Sequence, residues 1–204
     1  MKFLWFKKNK KWRDSLLSKS LPSDTRNLVW IQFLATFSSA LAGVFVNIFL
    51  WRQVHSFTPL VIFQFFHIFV LVVIYIASAY LFQRRSSAFG IRLGLLFYAL
   101  FYFSLLILRG RAILWIIPLG CLNGLAGGFY WSGLNLLQYV LTHDKNRDFY
   151  FGTVGFWVTL AGMAGPIIGG GIITLGEIFA PGQLLGYYLL FLLTSALFLS
   201  LIHI

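Results

Sequence analysis

The residues of this sequence best suited to chemistry are uncharged polar side chains within long apolar runs. Asn47, Asn123 and Asn135 can each offer two N–H donors and two acceptor lone pairs for hydrogen bonding. His67 can titrate or bind a solute, although such a histidine is more often a hydrogen-bonded packing group. Glu177, near the end of the fifth run, fits an interfacial residue better than a coupling site. This set favours binding through hydrogen bonds over covalent chemistry.

No pattern in the sequence is typical of an enzyme active site. There are no paired carboxylates, no His, Cys, Asp or Glu cluster with metal-ligand spacing, and no arrangement of a nucleophile with a base. Cys121 is the single cysteine, which excludes an intramolecular disulfide. We therefore expect no catalytic residue, no bound metal and no cofactor.

Composition indicates that these residues belong to a membrane protein. Of the 204 residues, 59% are hydrophobic and only 10% are charged, with a mean hydropathy of +0.84. A soluble domain carries about 25% charged residues, because water must solvate its surface. The net charge of +11 would suggest nucleic acid binding in a soluble protein. Here the basic residues lie between apolar runs, so the expected partner is the lipid bilayer and not nucleic acid.

Six apolar runs approach the length of about 20 residues that a helix needs to cross a bilayer. We predict a helix for each, because lipid permits only helices or closed barrels and the runs are too long for barrel strands. The runs are Leu28–Leu50, Pro59–Phe82, Ile91–Leu108, Ala112–Leu141, Phe151–Ile178 and Gly182–Ile204. The expected fold is an all-α membrane protein, with residues 1–26 as a basic cytoplasmic segment and residues 27–204 as a six-helix transmembrane bundle.

The distribution of basic residues predicts the orientation of this bundle. If the N-terminus lies inside, the cytoplasmic segments are residues 1–26, 83–92 and 142–149, and they contain 13 of the 16 Lys and Arg residues. Only 3 fall on the opposite side. Cytoplasmic segments carry an excess of Lys and Arg. We therefore expect a multi-pass protein of the plasma membrane with its N-terminus inside.

Polar or small side chains recur every three or four residues on four of the six runs, which places them on one face of each helix. Because unsatisfied polar groups in hydrocarbon are costly, we expect helices one, two, four and five to be inner and helices three and six peripheral. This order repeats after three helices, as in a 3+3 internal repeat. The predicted pathway residues are Gln32, Thr36, Asn47, His67, Asn123, Trp131 and Asn135. Hydrogen bonding between helices explains the asparagines nearly as well, and Trp131 can equally be aromatic filler.

Glycines in the fourth and fifth runs predict close packing between helices and carry a family resemblance. Gly124 lies four residues from a glycine on either side, a spacing that lets helix backbones approach closely. The fifth run resembles the glycine-rich fifth-helix signature of the major facilitator superfamily, with Ala161 in place of one glycine. The residues that carry this resemblance are Gly152, Ala161, Gly165, Pro166, Gly169 and Gly170. Gln83, Arg84 and Arg85 occupy the place of that family's cytoplasmic loop motif, where Gln83 replaces an acidic residue.

The resemblance implies a secondary transporter that moves a small solute by alternating access. It covers residues 24–204, which correspond to the N-terminal half of a twelve-helix protein whose substrate lies between two six-helix halves. Because no basic flank follows the last helix, we expect either that a second half is missing and the last few residues are foreign, or that a half-size chain pairs with a second copy. The alternative function is a non-transporting scaffold or sensor subunit. The sequence does not identify the solute or a coupling ion.

Overall fold

The computed structural model describes residues 21–82, 86–143 and 146–203, and within these ranges the chain forms helices and no strands. The α-helices in this described part are α1 Ser23–Val54, α2 Thr58–Leu81, α3 Ser87–Leu108, α4 Ile116–Leu141, α5 Arg147–Phe179 and α6 Leu185–Leu201. A 3₁₀ helix, Arg109–Trp115, joins α3 to α4. Residues 1–20 of the predicted basic segment lie outside the described residues. So does the predicted loop motif of Gln83, Arg84 and Arg85.

The local sequence explains several of the helix boundaries. Pro59 occupies the first turn of α2, where a proline has no hydrogen bond to lose. The Ser86 hydroxyl accepts a hydrogen bond from the Ala88 backbone N–H at 3.3 Å and so caps α3. Arg109 ends α3 with a positive φ of 48°. The fourth apolar run begins within the 3₁₀ helix that follows, rather than as an α-helix. The first helix begins at Ser23, four residues before the predicted bundle boundary.

Four helical stretches in the described part of the chain are long and apolar enough to cross a membrane. They are Ser23–Val54, Thr58–Ser78, Ser87–Leu141 and Arg147–Phe179. The third contains both α3 and α4, which fold back on each other so that Gly94 faces Tyr130. Helix α6 has 17 residues and is shorter than the other candidates. By composition and by the length of these stretches, the chain is a membrane protein.

Helices α2 and α4 run parallel and pack closely through the glycines of α4. A Cβ atom on Gly124 would lie 2.6 Å from the His67 carbonyl oxygen and 2.8 Å from the Val70 Cβ. Gly120 faces Phe63 at an earlier position of both helices. Residue numbers therefore increase in the same direction along both helices, as expected for a parallel pair. The predicted close approach at these glycines is confirmed.

Helices α1 and α5 form a second parallel pair. A Cβ atom on Gly165 would lie 2.6 Å from the Ala40 Cβ, and Gly169 packs against the backbone of Leu41. Gly152, by contrast, has open space where a side chain would begin. Only part of the glycine signature in α5 therefore serves this helix contact.

Helices α3 and α6 form much of the core, and the expectation that they are peripheral is wrong for this chain. Phe191 and Phe198 of α6 are fully buried, with ring centroids 6.2 Å and 5.9 Å from the Tyr102 ring of α3. In α2, by contrast, the buried side chains among the described residues are Phe63 and Ser78. The physical reason is that aromatic side chains of α3 and α6 pack against each other, whereas α2 packs mainly against α4.

Candidate functional site

A cavity of about 200 Å³ lies between α1, α2, α3 and α4. It brings together Asn47, His67 and Asn123, which are three of the predicted pathway residues, with Ser39 and Gln64. Its lining consists of Ser39, Gly43, Val46, Asn47, Phe63, Gln64, His67, Tyr98, Phe101, Tyr102 and Asn123. The sequence therefore identifies polar residues from three different helices that share one site.

The cavity lies in the half of the bundle that contains the α1–α2 connection. Asn47 precedes the end of α1 by seven residues and Asn123 follows the start of α4 by seven. At 1.5 Å per residue, both lie about 10 Å from the helix ends. The cavity therefore lies well inside the apolar part of the helices. The distribution of basic residues predicts that this half faces outward.

Three side chains in the cavity form a hydrogen-bonded chain. The Gln64 side-chain N–H donates to the Asn47 Oδ1 at 3.4 Å, and the His67 Nδ1 lies 3.2 Å from the Gln64 Oε1. With the Gln64 amide assigned in this orientation, the contact fits the His67 tautomer that carries its proton on Nδ1. This leaves the Asn47 amide nitrogen and the His67 Nε2 available at the two ends. The Asn123 amide has no hydrogen-bond partner within the described part of the protein, and so it is also available to a ligand.

Aromatic rings from α2 and α3 form the apolar wall of the cavity. The Phe63 ring lies 6.0 Å from that of Phe101 and 6.2 Å from that of His67, nearly parallel to both. Tyr98 and Tyr102 complete this wall. Tyr98, Phe101 and Tyr102 were not predicted as cavity residues, because α3 has almost no polar side chain. Tyr98 and Tyr102, four residues apart, lie on one face of α3, and this spacing could have indicated a side of the helix that faces a polar cavity.

Gln32 and Thr36 are predicted pathway residues of α1 that lie earlier in the helix than the cavity residues. Gln32 is 4% exposed and donates to the Tyr150 hydroxyl at 2.8 Å, which joins α1 to α5. Thr36 follows one turn later and is half-buried. The contact of Gln32 is one that stabilises the bundle, because it satisfies two buried polar groups at once.

Trp131 and Asn135 are predicted pathway residues of α4 that lie beyond the cavity. The Asn135 amide donates to the Tyr75 hydroxyl of α2 at 3.0 Å, and the Trp131 ring contacts that of Tyr130 edge-on at 5.4 Å. Both predicted residues are exposed in this chain. They therefore lie on a surface that is open to lipid or to another polypeptide.

Within the described ranges, no charged residue lines the cavity. Glu177, at the end of α5, is 3.9 Å from the Arg52 guanidinium and accepts a hydrogen bond from the Gly182 backbone N–H at 3.0 Å. Its side chain is 44% exposed, so the pair is partly solvated. Across the described ranges there is no group of three or more His, Cys, Asp or Glu residues that could hold a metal ion.

Two bacterial proteins resemble this chain in sequence. It is 32% identical over 171 residues to the uncharacterized protein YqgE of Bacillus subtilis (strain 168), a match that covers 84% of this chain and 39% of that protein. It is 33% identical over 135 residues to an uncharacterized protein in the sodM 3' region of Geobacillus stearothermophilus. This match covers 66% of this chain and 63% of that protein. The chain thus spans less than two thirds of the length of either relative. No protein-family model and no solved structure matches it.

Proposed function

We propose that this chain is the six-helix half of a major-facilitator-type secondary transporter, which moves a small solute across the plasma membrane by alternating access. The observation that carries the proposal is the polar cavity inside an apolar bundle. Asn47, His67 and Asn123 converge there from three helices. Polar groups at membrane depth are costly unless they pair or face a hydrated path. A scaffold has no need of such a cavity.

The helix pairing supports six membrane crossings with a 3+3 repeat. Such a repeat relates α1, α2 and α3 to α4, α5 and α6. Applied to the parallel pair α1–α5, the repeat would give the parallel pair α4–α2. Each pair contains a close glycine contact, at Gly165 in the first and at Gly124 in the second. The α3–α6 pair would be converted into itself. The six helices then alternate in direction, with the N-terminus inside.

The exposed faces of α2 and α5 support a second six-helix half as the partner. Trp131 and Asn135 of α4 also lie on exposed surface, where an asparagine would be poorly solvated by lipid. More than half of the Bacillus subtilis relative lies outside the region that this chain matches. That length leaves room for a second half, which would cover these faces and complete the solute path.

Matched serine-to-cysteine variants test whether the cavity is a path for water and solute. Ser39 lines the cavity, whereas Ser195 is 3% exposed and donates to the Ala99 carbonyl oxygen at 2.9 Å. Each would be replaced by cysteine on a Cys121→Ala background. Modification requires a thiolate, which forms in water and not in hydrocarbon. We expect a membrane-impermeant thiol reagent to modify Ser39→Cys and to leave Ser195→Cys unmodified until the protein is denatured.

The side from which Ser39→Cys reacts separates transport from a static cavity. Alternating access predicts modification both in intact cells and in inverted membrane vesicles, because the site opens to each side in turn. The experiment uses the protein as the cell makes it, with any second half present. Modification from one side only, or protection equal to that of Ser195→Cys, would refute the proposal and favour the scaffold or sensor function.

A further inference from the structure

We propose that the cavity binds a small uncharged solute rich in hydroxyl groups, such as a polyol or a monosaccharide. This assignment rests on the proposed transport function, since it names the class of solute that the same cavity accepts. Three properties of the lining support this assignment: the absence of charged side chains, the presence of both hydrogen-bond donors and acceptors, and a small volume with some apolar side chains.

The lining offers no full charge to an ionic ligand. Among the described residues that form the cavity there is no Asp, Glu, Lys or Arg. An ionised ligand moved from water into this site would lose its hydration without gaining a counter-charge, and such a transfer is costly. Arg52 and Glu177 are outside the lining and pair with each other. The lining that this chain supplies therefore favours a solute without net or separated charge.

The free hydrogen-bonding groups of the cavity fit hydroxyls. The Asn47 amide nitrogen can donate, and the His67 Nε2 accepts in the neutral tautomer with its proton on Nδ1, which is the tautomer that fits the contact with Gln64. The Asn123 amide supplies both a donor and an acceptor. A hydroxyl both donates and accepts, so one kind of substituent, repeated along a solute, can satisfy all of these positions.

The apolar side chains and the size of the cavity restrict the solute further. Phe63 and Phe101 line the cavity together with the amide groups of α1 and α4, but their rings are only 2% and 1% exposed and add little open surface. A polyol or a sugar carries both C–H and hydroxyl groups, which suits a lining that contains apolar as well as polar side chains. The volume of about 200 Å³ is below the ~300 Å³ at which pockets for drug-sized ligands begin. The part of the site that this chain forms therefore matches a solute of a few carbon atoms up to a single sugar ring.

Protection of the Ser39→Cys variant from thiol modification tests the solute class directly. The probes are xylitol and myo-inositol, together with two analogues of xylitol in which one terminal group is an amine or a carboxylate. These analogues share the carbon skeleton and differ in charge. We expect the neutral probes to slow modification in a concentration-dependent way and the cationic and anionic analogues to have no effect at the same concentrations.

Two further variants connect protection to the amide groups. Asn123→Leu, added to Ser39→Cys, should weaken protection by the neutral probes about tenfold, as expected for the loss of hydrogen bonds in a partly buried site. Gln183→Leu removes an amide from the exposed α5–α6 connection and should leave protection unchanged. An equal loss in both variants would show that protection does not depend on the cavity.

The outcomes separate this inference from the proposed function. If Ser39→Cys reacts from both sides of the membrane but neither neutral probe slows it, the solute class is wrong and transport stands. If a charged analogue protects and xylitol does not, the class is also wrong. If Ser39→Cys does not react at all, the hydrated cavity itself is refuted, and with it the transport proposal.

Discussion

Replacing Gly124 by alanine tests the close contact between α2 and α4 on which the cavity depends. The added Cβ atom would lie 2.6 Å from the His67 carbonyl oxygen, whereas ordinary contact begins at 3.4 Å. Helix α2 would therefore have to move by about 0.8 Å. Overpacking of this kind costs about 1–3 kcal/mol. The same change gains about 1 kcal/mol of helix propensity.

Gly162→Ala provides the matched control, because nothing lies within 4 Å of the position of its Cβ atom. Both substitutions gain the same helix propensity, so the difference between them measures the overpacking alone, about 1–3 kcal/mol. For a chain of this length, each kcal/mol corresponds to about 2–4 °C in Tm. We expect Gly124→Ala to melt several degrees below Gly162→Ala in thermal unfolding in detergent. If Gly124→Ala melts at or above the control, the close approach of α2 and α4 is wrong.

Three further predictions follow from the orientation and the polar contacts. Ser56→Cys and Ser87→Cys on a cysteine-free background should label from opposite sides of intact cells, and labelling of both from outside would overturn the orientation. Tyr150→Phe should destabilise the bundle by about 1–3 kcal/mol, because it leaves the buried Gln32 amide without its acceptor; an unchanged Tm would contradict this. Glu177→Gln should change stability by less than about 1 kcal/mol, because its pair with an arginine 3.9 Å away is partly exposed; a large loss of Tm would show a stronger contact.

The sequence predicted the cavity residues better than the packing around them. Asn47 and Gln32 belong to the same predicted polar stripe of α1. Spacing cannot show which neighbour each side chain will contact, however. Gln32 donates a hydrogen bond to the Tyr150 hydroxyl, whereas Asn47 lines the cavity. Asn123 could be identified because an amide in an apolar run requires either a hydrogen-bond partner or a hydrated cavity, and it lines the cavity.

The burial of α3 and α6 could not be predicted from their composition. A leucine or phenylalanine that packs inside a bundle has the same apolar character as one that faces lipid. Leu105 of α3, for example, is fully buried although its helix has almost no polar face. Only the three-dimensional contacts with α6, such as the Ser195 hydroxyl bonded to the Ala99 carbonyl oxygen, show which apolar helices belong to the core.

The sparse contact between the two parallel helix pairs is expected to make the boundary between them mechanically compliant. Helix α1 packs along α5 and α2 along α4, whereas α1 contacts α2 sparsely. A principal link between α1 and α2 at the cavity is the 3.4 Å hydrogen bond from Gln64 to Asn47. Regions with few packing contacts deform at the lowest free energy. Changes in bilayer thickness, which alter helix tilt, should therefore change the width of the cavity before they disturb either glycine-packed pair.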